Sequence, residues 1–224
     1  QVLGYAFVPF VETRAVLWTN GVPQSLTFPA GYTLTGEPGH QFLNDSGRVV
    51  LAMLPEAGPQ YAYRTVYWDD PASPHIVPVA PNTCGAAGGI AQELPWGLNN
   101  AGHVLIGSYV CGNLWRWDGL DEFDFHNLVS LTPMGPGLCA NIYTLRANHS
   151  HLSDIDHVAV EFGSLDPGCP TYTNASGILV GSSFTPVMPA PNGGGAFDIN
   201  SHDQLLVDVL TSTKYWDGSA TVDF

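Results

Sequence analysis

A short phrase recurs through this chain, and it limits the fold more than any other feature. Leu43–Leu51 reads L-N-D-S-G-R-V-V-L, a tight polar turn running into an apolar strand. It returns as G-L-N-N-A-G-H-V-L-I at Gly97–Ile106, L-S-D-I-D-H-V-A-V at Leu152–Val160 and I-N-S-H-D-Q-L-L-V at Ile199–Val207. Gln1–Tyr5 (Q-V-L-G-Y) matches the second half of the phrase without its turn. Aligning the residue after each turn gives Gln1, Arg48, His103, His157 and Gln204, with steps of 47, 55, 54 and 47 residues. Self-similarity at such periods marks solenoids, propellers or arrays.

A second phrase, aromatic residue then polar turn, alternates with the first. It occurs at Leu17–Gly21 (L-W-T-N-G), Val66–Asp70 (V-Y-W-D-D), Arg116–Gly119 (R-W-D-G) and Lys214–Gly218 (K-Y-W-D-G). In the fourth unit the nearest match is T-Y-T-N-A at Thr171–Ala175, which lacks Trp. Each full unit therefore holds four short strands: one before the first turn, one after it, one ending in Trp and one beyond the Trp turn. Short strands separated by turn chemistry indicate an all-β fold. A four-stranded meander per repeat is the blade of a β-propeller. The expectation is a propeller-like array of about five four-stranded antiparallel blades in one domain, residues 1–224, with units near 1–28, 40–80, 96–131, 145–187 and 196–224. The first blade lacks its first strand, and Pro29–Gly39 reads as a loop. Three readings fit that gap: a fragment whose N-terminus has been processed or cut, a three-stranded first blade, or a strand donated by a neighbouring chain. The fragment is preferred, because native proteins usually cover an open strand edge.

The anchors, I/L-N-D-S-G-x-V-V followed by L-W-x-N-G, resemble the HAF repeats of probable extracellular bacterial proteins. The likeness is best at Leu17–Gly21 and Leu43–Val50. It implies an exported, propeller-like repeat protein and brings no catalytic residues with it.

Composition narrows the partners. Lys and Arg total 6 against 20 Asp and Glu, a net charge of −14. Such a surface repels phosphate backbones, so nucleic acid is an unsuitable partner. No apolar run approaches the ~18–20 residues of a membrane helix, so no membrane insertion is expected. The four cysteines, Cys84, Cys111, Cys139 and Cys169, are even in number and contain no C-x-x-C. In an exported chain that suggests disulfides. Cys84 and Cys139 lie in loops leading into the third and fourth units, and Cys111 and Cys169 between the second and third strands of the same units. Those loops open on one face of a meander, so Cys84–Cys111 and Cys139–Cys169 are the expected pairs, closing 27 and 30 residues. Each would contribute about 3–4 kcal/mol on the loop-entropy estimate. Four buried free thiols are the alternative.

Candidate chemistry is sparse. His149, His151, Asp154, Asp156 and His157 crowd one segment and could ligate a borderline metal. That segment contains the repeat turn, so a solvated turn is the preferred reading. Asp118, Asp121, Glu122 and Asp124 form an acidic patch without the order of a calcium loop. The phased Trp18, Trp68, Trp117 and Trp216 read as core between blades. Trp96 and Trp115 break phase and are the better candidates for exposed ligand contacts. Asn44, Asn148 and Asn174 begin N-x-S/T, the first and third in repeat turns. No nucleophile elbow, H-E-x-x-H or phosphate-cradling loop occurs. No catalytic residue, cofactor or metal is therefore assigned. The expected function is a secreted, non-catalytic structural or adhesive surface protein, with itself or an extracellular glycan as partner. A glycan-binding propeller and an extracellular polysaccharide hydrolase or lyase are the alternatives.

Overall fold

The computed structural model describes residues 1–8, 12–34, 40–59, 62–78, 93–107, 114–119, 122–124, 143–164, 174–181, 183–188, 195–209 and 212–223. Among them there are only strands, turns and irregular segments, and the strands form small antiparallel sheets in chain order. The first sheet is β1 (Val2–Val8), β2 (Glu12–Thr19) and β3 (Val22–Ser25). The second contains β4 (Tyr32–Leu34), β5 (Gln41–Leu43), β6 (Val49–Pro55), β7 (Arg64–Trp68) and β8 (Pro74–Ile76). The third is β9 (Leu94–Leu98), β10 (Val104–Gly107), β11 (Leu114–Trp117) and β12 (Glu122–Asp124). The fourth is β13 (Tyr143–Leu152), β14 (Val158–Ser164), β15 (Asn174–Val180) and β16 (Ser183–Met188). The fifth is β17 (Gly195–Ile199), β18 (Leu205–Val209), β19 (Ser212–Trp216) and β20 (Thr221–Asp223).

The register explains the two sequence phrases. The residue that opens the strand after the corner turn lies opposite the aromatic of the next strand: Val2 faces Trp18, Val49 faces Trp68, Val104 faces Trp117 and Leu205 faces Trp216. In the fourth sheet Val158 lies opposite Leu179. Leu179 therefore holds the Trp position, in place of the match expected at Thr171–Ala175. Asn174 and Ala175 are strand residues paired with Gly163 and Phe162, so Asn174 is not in a turn. The mismatch has a simple cause. A buried Leu fills the same apolar slot without carrying the aromatic signature. The Pro29–Gly39 loop also needs correction, since Tyr32–Leu34 pairs with Met53–Pro55 and extends the second sheet.

Stacking of sheets makes the core. Val49, Leu51, Met53, Val66 and Trp68 of the second sheet cluster with Ala15 and Leu17 of the first, and the Trp68 indole donates to Thr27 O at 2.8 Å. On its other face Val50 meets Val104, Ile106, Trp115 and Trp117 of the third sheet. Tyr67 packs tilted against Trp117, ring centroids 4.9 Å apart. Ala159 and Ile178 of the fourth sheet cluster with Ile199, Leu205 and Val207 of the fifth. Strand alternation thus sends odd and even residues into two different interfaces. That is why Val49–Met53 is apolar throughout and entirely buried.

Candidate functional site

The polar corner between the first and second strands of each unit gathers the side chains that looked chemical in the sequence. Four corners share one construction. Asn44 N–H donates to Arg48 O, and Gly47 N–H returns to Asn44 O. The same pair of bonds joins Asn99 with His103 and Gly102, Ser153 with His157 and Asp156, and Asn200 with Gln204 and Asp203. The Asn or Ser side-chain oxygen accepts from the backbone N–H four residues on, at 2.8 Å for Arg48 and His103, 3.1 Å for His157 and 3.0 Å for Gln204. Short polar side chains that bond their own backbone favour such turns. The residue two positions before the strand sits at positive φ: 90° at Gly47, 87° at Gly102, 66° at Asp156 and 59° at Asp203. Gly and Asp tolerate that region best.

Corners also bond to one another. Asn44 Nδ2 donates to Asn99 O at 3.0 Å, and Asn99 Nδ2 donates to Ser153 O at 3.2 Å. One residue outward, Asn100 N–H donates to Asp154, and Asp45 N–H donates to Asn100 Oδ1. The Asn100 amide also donates to Asp45 and Asp154 carboxylates at 3.0 and 3.1 Å.

A third rung uses the residue after each turn, and its chemistry changes along the chain. Arg48 donates to Gly102 O at 2.6 Å, while a fork from the same guanidinium grips Asp69. His103 Nδ1 lies 2.6 Å from Asp156, and His157 Nδ1 lies 2.6 Å from Asp203. A carboxylate only accepts, so each Nδ1 carries the proton. Where the next corner has Gly, the reaching residue is Arg and takes a backbone carbonyl. Where the next corner has Asp, the reaching residue is His and takes the carboxylate. Gln1 lies close over the next corner, where a Cβ built on Gly47 would be 2.8 Å from its Oε1, but its Nε2 donates to the Thr19 hydroxyl at 3.2 Å. Asp156 is the busiest rung, receiving Asn99 Nδ2 at 2.8 Å and lying 3.3 Å from Arg116 as well as beside His103.

No family model matches this chain, and no curated protein matches it.

The candidate residues divide accordingly. Asp154, Asp156 and His157 lie in and just after a partly exposed turn, the preferred reading above, and they also bridge to neighbouring corners. His151 lies in β13 opposite Ala159, and the His149 side chain is outside the described residues. Among the described residues no group of three His, Cys, Asp or Glu is arranged to hold a metal. Cys84, Cys111, Cys139, Cys169 and Asp121 lie outside the described residues, and so do the side chains of Glu122 and Asp124. Trp115 is buried, only 2% exposed, inside the interface of the second and third sheets. Its role as an exposed ligand contact is overturned, because it lies beside Trp117 on the face of β11 that packs against the second sheet. Trp96 is half-buried and meets His40 edge-on at 4.4 Å. Asn44 is buried with both amide groups bonded, so its glycosylation signal is a by-product of the corner. Of the phased tryptophans, Trp68 and Trp117 are buried, while Trp18 and Trp216 are partly exposed.

The inter-corner rungs escaped sequence reasoning. One signal was available: Gly-to-Asp exchange at the turn coincides with Arg-to-His exchange one unit earlier.

Proposed function

We propose that this chain is a secreted structural or adhesive surface protein, a propeller-like array of about five blades akin to HAF-repeat proteins. Its business is presenting and joining surfaces. The observation that carries this reading is the use of polar side chains at the corners. The His and carboxylate groups best suited to chemistry, His103, His157, Asp156 and Asp203, are committed to holding one unit on the next. The even cysteine count agrees with an exported chain.

The test is labelling of intact source cells with a membrane-impermeant reagent, alongside a glycan array and a polysaccharide panel. The reading expects labelling without lysis, no sugar release and no single retained glycan. Labelling only after lysis would overturn the surface assignment. Retention of one glycan class would replace adhesion by lectin-like binding, and sugar release would make the protein a hydrolase or lyase.

A further inference from the structure

The turn behind the aromatic residue is exposed in unit after unit. Asp69 and Asp70 in the second unit and Asp118 and Gly119 in the third are exposed, although a sheet lies on either side of each unit. Exposure of this tip therefore follows from its place in the unit. In the first unit the tip is Asn20–Gly21, and both residues are exposed. Thr19 and Val22 pair across it, and the two tip residues have φ 52° and 80°. That is the two-residue turn to which Asn-Gly is best suited.

Asn20 differs from the other asparagines whose side chains are described. Asn44, Asn99, Asn100 and Asn200 each have both the side-chain oxygen and the amide nitrogen in hydrogen bonds. Each is also followed by a residue whose side chain crowds the next peptide nitrogen: Asp45, Asn100, Ala101 and Ser201. Among the described residues nothing bonds the Asn20 carboxamide. Gly21 has no side chain, and a Cβ built there would meet nothing within 4 Å. The strand that follows, β3, is exposed along its length, so the tip can open for reaction.

We propose that Asn20–Gly21 is a self-modification site, where the chain deamidates to isoaspartate and so loosens the first unit from the second. The Gly21 backbone nitrogen gives up its proton and attacks Asn20 Cγ. As the new N–Cγ bond forms, the bond from Cγ to the side-chain nitrogen breaks, and ammonia leaves with a proton equivalent to the one given up. Water then opens the succinimide at either carbonyl, giving aspartate or isoaspartate. In isoaspartate the main chain runs through Cβ and Cγ, so the tip gains a backbone carbon. A hairpin's register is fixed by its turn. Here that register positions the segment joining the two units. Leu26 N–H donates to Ala15 O at 2.9 Å, and Leu26 is buried in the core shared with the second sheet. Thr27 N–H donates to Pro71 O at 2.8 Å, and Thr27 O accepts the Trp68 indole.

The test is to age the full chain in buffer and digest it with trypsin. Cleavage after Arg14 and Arg48 releases residues 15–48, which hold both Asn20 and Asn44. Asn192–Gly193, outside the described residues, falls in the separate piece 147–214. Fragmentation mass spectrometry should show Asn20 converted with time while Asn44 keeps its amide. Conversion should be faster at mildly alkaline pH, because the Gly21 nitrogen must lose its proton. Enzymatic methylation specific for isoaspartate should label the same peptide. Asn20→Gln does not close a succinimide, so its peptide should stay unlabelled, with the far-UV circular dichroism of the wild type. If that variant disturbs the turn, Gly21→Ala, which has room for its Cβ, should slow the conversion instead. The denaturation midpoint of aged wild type should fall, and that of aged Asn20→Gln should hold. Fresh Asn20→Asp has the new charge on an ordinary backbone, so its midpoint should stay with fresh wild type. An Asn20 that survives ageing overturns the proposal, and so does an Asn44 that converts as fast. Equal losses in aged wild type and aged Asn20→Gln also overturn it, as does a fresh Asn20→Asp that matches aged wild type.

Discussion

The second sheet and the first are built on one plan, yet they bury it differently. In the second, Val49–Met53 is buried on both faces, because a unit lies on either side. In the first, Leu17 and Ala15 are buried against the second sheet, while the other face is mixed, with Val16 4% and Val2 63% exposed. Position along the stack, more than sequence quality, decides what a given side chain contributes. Trp68 and Trp18 occupy the same register position opposite Val49 and Val2. One is a keystone and the other a rim residue.

The sharpest way to break this comparison is truncation of the two tryptophans. Trp68→Ala should cost about 3–5 kcal/mol, the range for deleting a buried aromatic. Trp18→Ala in the monomeric state should cost at most ~1–2 kcal/mol, since part of its area is already in water. Chemical denaturation of both variants measures the difference, and equal losses would mean that the units do not cover one another as described.

Glycines at turns give the next contrast. Gly102 combines φ 87° with Arg48 so close that a Cβ would lie 2.7 Å from its guanidinium. Gly119 has φ 101° and open space around it. Both Gly→Ala changes incur about 1–2 kcal/mol of left-handed strain. Gly102→Ala must also displace the Arg48 rung, so its midpoint should fall further than that of Gly119→Ala. Similar midpoints would show that the rung contributes little.

The strands and corners were legible because their signals are local. An Asn or Ser followed three residues later by Gly or Asp specifies its own turn, and the alternating run behind it specifies a strand. Contacts between units were not legible, since they join residues some 46–57 positions apart. Leu179 shows a second limit. Packing needs an apolar volume opposite Val158, and Leu meets that need without the aromatic letter that the repeat pattern follows. Trp115 shows a third: two residues before Trp117, it shares that residue's face of β11 and its burial against the second sheet, so its departure from the repeat phase does not expose it. Tyr32–Leu34 was hidden by the Pro and Gly around it, which punctuate a loop as readily as they flank a short edge strand.

A smaller effect lies at the rim of the fifth sheet. Asp217 accepts from the backbone N–H groups of Ala220 and Ser219 and from the Ser219 hydroxyl, which hold its carboxyl below the ordinary range. A depressed folded value means the stabilisation is present above the unfolded value of about 3.9 and is lost as pH falls through the folded one. Asp217→Asn should therefore lie slightly below wild type near neutrality, and the two should converge in acid. A gap that widens in acid would contradict the assignment.

The central claim is that corner side chains hold one unit on the next, and Asn99 and Asn200 test it most directly. Asn99 is buried and donates to Ser153 O and Asp156 of the following corner. Asn200 is exposed and donates to Gln204 of its own corner. Both supply the same cap within their own turn. In equilibrium denaturation, Asn99→Ala should cost about 2–4 kcal/mol, because buried groups in two units lose their partners. Asn200→Ala should cost no more than ~1 kcal/mol, the worth of a solvent-exposed turn bond. Equal losses at the two positions would reduce the corners to independent turns and contradict the account.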